Sequence, residues 1–250
     1  MKNKLTIFLF HEVSDNPSQF CIDHNLNVSF KIFKKQINWI RKKFTIISPK
    51  ELESKSLPKN PALITFDDAF KGAFVNGIDY LIKKNIPSIM FINMGHIQNN
   101  NPLISAEAIY YQNFVKIKNW IYDKHHFLKI NPLTRNELIN QIDKDYSLKI
   151  KKYQGELADI NTLNKFSKSE YVFYGNHLFE HWNSSAISID FFDENVKLNT
   201  MALNKYDNFI NFFSFPNGQP LTCFSRINIS YLKKNKFIKI FFSSGRVNSN

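Results

Sequence analysis

Apolar runs of strand length alternate with amphipathic stretches along this chain, and that alternation limits the folds open to it. Pro61–Phe66 and Pro87–Ile92 are two such runs, and a stretch with helical spacing lies between them, from about Gly72 to Lys84. A buried strand, a helix and a second buried strand in this order predict a right-handed parallel unit. The sequence therefore predicts an α/β fold. Similar runs occur at Leu5–Phe10, which we expect to be covered on both faces, and at Phe44–Ser48, Tyr171–Tyr174, Phe209–Phe215 and Phe237–Phe242.

Capping residues and apolar spacing predict further helices. Ser29 is placed to cap a helix whose apolar residues run from Phe30 to Ile40, and helices are also expected at about Asp190–Asn204 and Ser225–Lys234. Residues 97–168 differ, because they are rich in Asn and Lys, with helical periodicity around Ala106–Tyr122 and Arg135–Lys152. We interpret them as a helical insertion or lid within a single domain that spans residues 1–250.

The chain is strongly basic, with 33 Lys+Arg against 21 Asp+Glu among 250 residues and a formal net charge of +12. Few of these basic residues are Arg, whereas bidentate recognition of bases and phosphates favours Arg over Lys. We therefore predict no specific nucleic-acid binding. The charge leaves open a peripheral contact with an anionic membrane, or the steering of an anionic substrate.

The apolar segments and the cysteines indicate the cellular compartment of the protein. No apolar run is long enough to span a bilayer. Leu5–Phe10 is too short for the core of a signal peptide, and no small-residue cleavage site follows it. Cys21 and Cys223 form no CxxC, which favours buried free thiols. Together these features predict a cytoplasmic protein.

Polar residues able to carry chemistry follow three predicted strands, at the end where the sites of α/β barrels collect. Asp67 and Asp68 come directly after Pro61–Phe66; one carboxylate can bind a metal while the other acts as a base. A helix cap followed by a first-turn acid is the alternative. His177 and His181 have the i, i+4 spacing that on a helical turn suits two imidazole ligands of a zinc-like ion. A chance pair, one exposed and one packed, is the alternative.

The third motif follows the predicted strand Phe209–Phe215. Pro216, Asn217 and Gly218 are typical of a tight turn that brings backbone N–H groups near a site. An ordinary strand-ending turn is the alternative.

Together, these motifs resemble those of the polysaccharide deacetylases, carbohydrate esterase family 4. That family carries Thr-Phe-Asp-Asp, then His-x-x-x-His after Gly-Asn or Gly-Ser, then aromatic-x-aromatic-Pro-x-Gly. The corresponding segments here are Thr65–Asp68, Gly175–His181 and Phe213–Gly218. The resemblance implies a distorted, partly closed (β/α) barrel, here with a helical insertion.

The resemblance also implies roles for these residues. Asp68, His177 and His181 would ligate a divalent metal, zinc before others, and Asp67 would be the general base that deprotonates its water. The backbone N–H of Asn217, in the Pro216–Gly218 turn, would stabilise the oxyanion. The reaction would remove an N-acetyl or related acyl group from a sugar or oligosaccharide of a surface glycan or its lipid-linked precursor.

Two departures from the family pattern bear on activity. Ser214 stands where the family often has an Arg that orients the base, and no His follows His181, where the family places its general acid. His11, at the end of the first predicted strand, is a candidate neighbour of the site that could replace that acid. The alternative hypothesis is a catalytically inactive family member that binds a glycan or a partner protein.

Overall fold

The structure is a computed structural model that describes residues 4–54, 56–115, 126–140 and 146–241. Its strands are β1 (Thr6–Phe10), β2 (Glu12–Val13), β3 (Asn27–Val28), β4 (Thr45–Ile46), β5 (Pro61–Phe66), β6 (Ser88–Ile92), β7 (Val172–Asn176), β8 (Phe209–Ser214) and β9 (Lys239–Phe241). Its α-helices are α1 (Gln19–Asp23), α2 (Phe30–Lys43), α3 (Asp79–Ile82), α4 (Met94–Asn99), α5 (Ile104–Phe114), α6 (Pro132–Ile139), α7 (Tyr146–Gln154), α8 (Ile160–Phe166), α9 (Ile189–Leu203) and α10 (Arg226–Lys234). A 3-10 helix covers Pro49–Glu53, and a π-helical segment, Ala73–Ile78, leads into α3.

The main sheet has the strand order β1-β5-β6-β7-β8-β9, and β4 pairs with β5 beside this path. The pairs β1–β5, β4–β5, β5–β6 and β8–β9 are parallel. With its helices, the sheet forms a distorted, partly closed (β/α) barrel, so the predicted fold class is confirmed. No helix among the described residues is both long and apolar enough to cross a membrane.

The predicted strands differ in how they are covered. Every residue of β5 and β6 is buried, as their continuous apolar runs indicate. In β1, Phe8 and Phe10 face α2, where their rings contact Trp39 and Phe33. Ile7 and Leu9 point to the other face and are 44% and 37% exposed. The prediction that both faces of this strand are covered is therefore wrong, because an apolar run does not show which face of a sheet remains open.

The first long helix confirms the prediction from its cap. The backbone N–H of Ile32 donates to Ser29 Oγ at 3.4 Å, which satisfies an otherwise unpaired amide at the start of α2. Phe33, Ile37 and Ile40 are the buried residues of this helix, at the spacing of one helical face.

The chain divides into two compact units. The first comprises Met1–Ile92, Gly155–Gly175 and Leu203–Ile210. The second comprises Asn93–Gln154, Asn176–Ala202 and Asn211–Asn250. The prediction of a single domain stays a prediction.

The segment predicted as an insertion, residues 97–168, is mainly helical among its described residues, with irregular connections between the helices. It contains the end of α4 and the helices α5 to α8. Parts of the two predicted helical stretches, residues 116–125 and 141–145, lie outside the described residues.

The core of the second unit holds the end of β8 in place. Phe213 and Phe215 are buried, and their ring centroids lie 5.9 and 6.3 Å from that of Phe192. Phe215 also stacks on Phe224 with a centroid distance of 4.1 Å. These contacts fix the backbone of Ser214, which lies between the two anchored rings.

Candidate metal site

Two carboxylates follow β5 in a turn with unusual backbone angles. Asp67 and Asp68 are 6% and 5% exposed. Asp68 and Ala69 have φ angles of 70° and 59°, in the left-handed region that residues with a Cβ rarely adopt. Such strain persists only where surrounding contacts impose it, and it is concentrated at functional sites.

Neighbouring backbone groups hold this turn. The N–H of Asp67 donates to the carbonyl of Phe10 at 3.1 Å, and the carbonyl of Ala69 accepts from the N–H of Ala158 at 2.8 Å. The π-helical segment that follows has Gly72 as its N-cap residue and no side-chain cap hydrogen bond. Lys71 and Gly72 are already helical, so this helix begins shortly after the two Asp residues, and the helix cap stays the alternative interpretation for them.

The two histidines lie on an irregular loop after β7. His177 comes directly after Asn176, the last residue of the strand, and residues 177–181 form no helical turn. The prediction that a helical turn aligns His177 with His181 is therefore wrong. Leu178 instead has a φ angle of 64°, and this sharp turn brings the two imidazole centroids to 5.2 Å.

Hydrogen bonds orient the ring of His177. Its Nδ1 lies 2.8 Å from the carbonyl oxygen of Ser214, and because a carbonyl only accepts, Nδ1 carries the proton. The basic nitrogen is then Nε2, the arrangement found for imidazoles that bind metals. The side-chain amide of Asn93 also donates to the carbonyl of His177 and, at 3.1 Å, to that of Leu178.

A third histidine supports His181, the second candidate ligand. The backbone N–H of His181 donates to Nε2 of His96 at 2.9 Å, and both residues are buried. His96 and Asn93 were missed by the sequence reasoning. A signal was present, because both follow the buried strand β6, at the same end at which the other polar motifs follow their strands.

Asn176 connects the histidine loop to α9. Its Nδ2 donates to the carbonyl of Val196 at 3.0 Å and to Thr200 Oγ1 at 2.9 Å. Its Oδ1 accepts from the N–H of Leu178 and from Asn199 Nδ2, both at 2.9 Å. Because such a buried amide with four partners is costly to disturb, it fixes the start of the loop.

Asp68, His177 and His181 together form a buried group that could hold a metal ion. One ligand-capable atom from each of these side chains lies within 4.8 Å of the other two. Two imidazoles and one carboxylate are a donor set that zinc and similar divalent ions bind while keeping open positions for water and substrate. The hydrogen bond on Nδ1 of His177 fits this use, because Nε2 is then the ring nitrogen whose lone pair can bind a metal ion.

The remaining predicted site residues have the following places. Pro216, Asn217 and Gly218 form a turn after β8, and Asn217 and Gly218 have φ angles of 59° and 63°. His11 is half-buried between β1 and β2. Their roles, like that of Asp67 as a base, stay predictions.

The sequence reasoning also missed Glu12. Its carboxylate is buried and accepts from the N–H of Val13 at 2.7 Å. Burial raises the pKa of Glu12 to about 7, although hydrogen bonds from the amides of Val13 and Gly72 oppose this shift. A Cβ at position 72 would lie 2.0 Å from Glu12 Oε1, so only glycine lets the carboxylate approach so closely.

The cysteines are free and buried, as predicted. Burial raises the pKa of the Cys21 thiol to about 12, and the negative charges of Glu12 and Asp68 contribute to this shift. A thiol of this kind is unreactive at neutral pH.

No protein-family model matches this sequence, and no curated protein sequence does. Solved structures do match. IcaB from Ammonifex degensii matches with a TM-score of 0.64 and 16% identity, over 96% of this chain and 84% of that one. The Streptococcus pyogenes deacetylase PplD, in complex with acetate, matches with a TM-score of 0.63 and 12% identity, over 95% of this chain and 82% of that one. BC0361, a polysaccharide deacetylase from Bacillus cereus, matches with a TM-score of 0.60 and 12% identity, over 98% of this chain and 62% of that one. The predicted resemblance is thus confirmed for the fold.

Proposed function

We propose that this protein is a metal-dependent deacetylase that removes an N-acetyl or related acyl group from a sugar. The observation that carries the proposal is the buried group of Asp68, His177 and His181, with ligand-capable atoms within 4.8 Å of one another. The fold shared with a deacetylase bound to acetate and with a polysaccharide deacetylase supports the same chemistry.

The side chains of this site would divide the chemistry. A divalent ion, zinc before others, held by Asp68, His177 and His181 would lower the pKa of a bound water and polarise the acyl carbonyl. The buried carboxylate of Asp67, next to Asp68 in the chain, would accept the proton released during attack. The backbone N–H of Asn217 would donate to the oxygen on which negative charge develops.

The proposed substrate is an N-acylated sugar or oligosaccharide of a surface glycan, or its lipid-linked precursor. The proton for the departing amine would come from water or from His11, which follows the first strand of the sheet. A cytoplasmic site of action and a peripheral contact with an anionic membrane stay predictions.

Substitution of the two adjacent carboxylates tests the proposal. Asp68→Asn should lose both bound metal and acetate release from a short oligomer of N-acetylglucosamine. Asp67→Asn should retain the metal, measured by mass spectrometry, while its turnover falls by about 10²–10⁴-fold, the usual contribution of a general base. Asp207→Asn, at an exposed position, is the matched control and should behave as the wild type.

The outcomes separate the two hypotheses. A wild-type protein that binds no divalent metal would overturn the proposal. Metal binding without acetate release, together with retained binding of the oligosaccharide, would favour the inactive glycan-binding alternative.

A further inference from the structure

A pocket of about 220 Å³ opens on the first compact unit, where α2 ends and the strand β6 begins. Three polar side chains line it, Arg41, Lys84 and Asn85, and all three are exposed to solvent. Phe44, Ile46 and Ile86 form an apolar wall. The pocket thus combines two cations and an amide with a hydrophobic surface, and no carboxylate of the described residues lines it.

The two cations of this pocket have no counter-charge on the described part of the chain. Neither Arg41 nor Lys84 forms an ion pair with a described residue, whereas the adjacent Lys83 pairs with Asp79 at 2.5 Å. Holding two positive groups around one cavity is unfavourable by simple repulsion, and an anion in the cavity would remove that cost.

The end of helix α2 does not by itself account for this arrangement. A helix C-terminus favours cations, and Arg41 is one of three in the last turn of α2, together with Lys42 and Lys43. Lys84 belongs to a different segment, after α3, where Asn85 adopts a φ angle of 54°. The pocket therefore draws its charge from two separate elements.

We propose that this pocket binds a phosphate ester that carries a compact apolar or aromatic group. The guanidinium of Arg41 can donate two parallel hydrogen bonds to phosphate oxygens, and Lys84 can add a second positive charge. The amide of Asn85 can donate a further hydrogen bond. The wall of Phe44, Ile46 and Ile86 would cover the apolar group, and the volume of the pocket limits the ligand to a small one.

This pocket is separate from the candidate metal site. Thr45 in β4 pairs with Pro61, the first residue of β5, whereas Asp67 and Asp68 follow the last residue of that strand. A strand of this length spans about 20 Å. The pocket thus lies at the amino end of β5, and the phosphate ester is a ligand of its own and not a reactant at the carboxylates.

Methyl NMR of the full chain with labelled isoleucine tests the proposal. Titration with phenyl phosphate should give saturable shifts at Ile46 and Ile86. The double variant Arg41→Gln/Lys84→Gln should weaken the affinity at least about tenfold, because it removes both cations of the pocket. Lys31→Gln/Lys35→Gln removes the same charge from exposed positions of α2 and should leave the affinity unchanged. Equal losses in the two double variants, or no saturable shift, would overturn the proposal.

The source of the phosphate is resolved by a second measurement. Vesicles that contain phosphatidic acid are compared with vesicles of phosphatidylcholine in a sedimentation assay. Binding to the acidic vesicles that is lost in Arg41→Gln/Lys84→Gln but kept in Lys31→Gln/Lys35→Gln would identify a lipid headgroup. Saturable binding of phenyl phosphate without vesicle binding would identify a soluble phosphate ester. Vesicle binding that falls equally in both double variants, with no methyl shift, would contradict the pocket.

Discussion

At the scale of the residue, the positions of His177 and His181 in the candidate metal site depend on hydrogen bonds with Ser214 and His96. The carbonyl of Ser214 sets the protonated nitrogen of His177, and Nε2 of His96 accepts from the backbone of His181. Partners of this kind orient metal ligands, and their loss typically reduces metal affinity by 10- to 100-fold.

Substitution of His96 tests whether these hydrogen bonds support metal binding. His96→Ala removes the acceptor for the N–H of His181, so we expect zinc affinity to fall by about 10- to 100-fold. His96→Gln places an amide oxygen near the position of Nε2 and should restore most of the affinity. Competition with a chromophoric chelator measures both. His24→Ala is the matched control, and zinc binding by His96→Ala as tight as that of the wild type would contradict the role.

Glu12 should make stability depend on pH. Its pKa is raised to about 7 in the folded protein from a value of 4.5, so the folded state holds the proton more tightly than the unfolded state. The free energy of unfolding should therefore fall as pH rises from 4.5 through about 7 and then level off. Glu12→Gln should remove this fall, which is on the order of 3 kcal/mol.

Urea denaturation of the metal-free protein between pH 5 and pH 8 measures this effect. Glu170→Gln, at an exposed position, is the matched control and should follow the wild type across the range. If the free energy of unfolding changes with pH equally in the wild type and Glu12→Gln, the pKa of Glu12 is not shifted by folding.

At the scale of the element, an ion pair between a half-buried Arg and a buried Glu joins two helices of the second unit. Nε and Nη2 of Arg135, on α6, donate to Glu107 Oε2, on α5, at 3.0 and 2.8 Å. Tyr111 OH donates to the other carboxylate oxygen at 3.1 Å. Apolar residues surround this group, so the carboxylate depends on its partners for compensation. They are Ile104, Ala108, Ile130 and Leu138.

Replacing only the Arg of this ion pair should lower the free energy of unfolding more than replacing both partners. Arg135→Met leaves a buried carboxylate without its counter-charge, and we expect a loss of about 3–5 kcal/mol in the free energy of unfolding. The double variant Glu107→Gln/Arg135→Met, which keeps an acceptor for Tyr111, should lose less. Lys83→Met, in the exposed pair with Asp79, is the control and should lose less than about 1 kcal/mol. Equal losses in the single and double variants would contradict this account.

At the scale of the whole molecule, a metal that binds only the folded protein must stabilise it. Zinc at about 100 times its dissociation constant adds about 2.7 kcal/mol, which corresponds to a rise in Tm of about 5–10 °C for a chain of this size. Differential scanning fluorimetry should show this rise in the wild type and not in Asp68→Asn. Asp207→Asn should show the full rise, and an equal rise in Asp68→Asn would place the metal elsewhere.

Much of the fold and the candidate ligands could be predicted from local patterns. A fully buried strand is a continuous apolar run, so Pro61–Phe66 was predicted with its observed bounds. The carboxyl ends of parallel strands lie at one edge of a sheet, so the polar residues after the strands indicated a site there. The resemblance to the polysaccharide deacetylases then implied that Asp68, His177 and His181 share one metal.

The sequence by itself determined the residue types of the site and the strands that carry them. Only the tertiary structure decided how the candidate site is held: the loop with Leu178 in the left-handed region, and the contacts of Ser214 with His177 and of His96 with His181. It also decided that Ile7 and Leu9 stay exposed and that Arg41 and Lys84 share a pocket. The physical reason is that these features depend on contacts between residues far apart in the chain, and local patterns of hydrophobicity and spacing do not specify them.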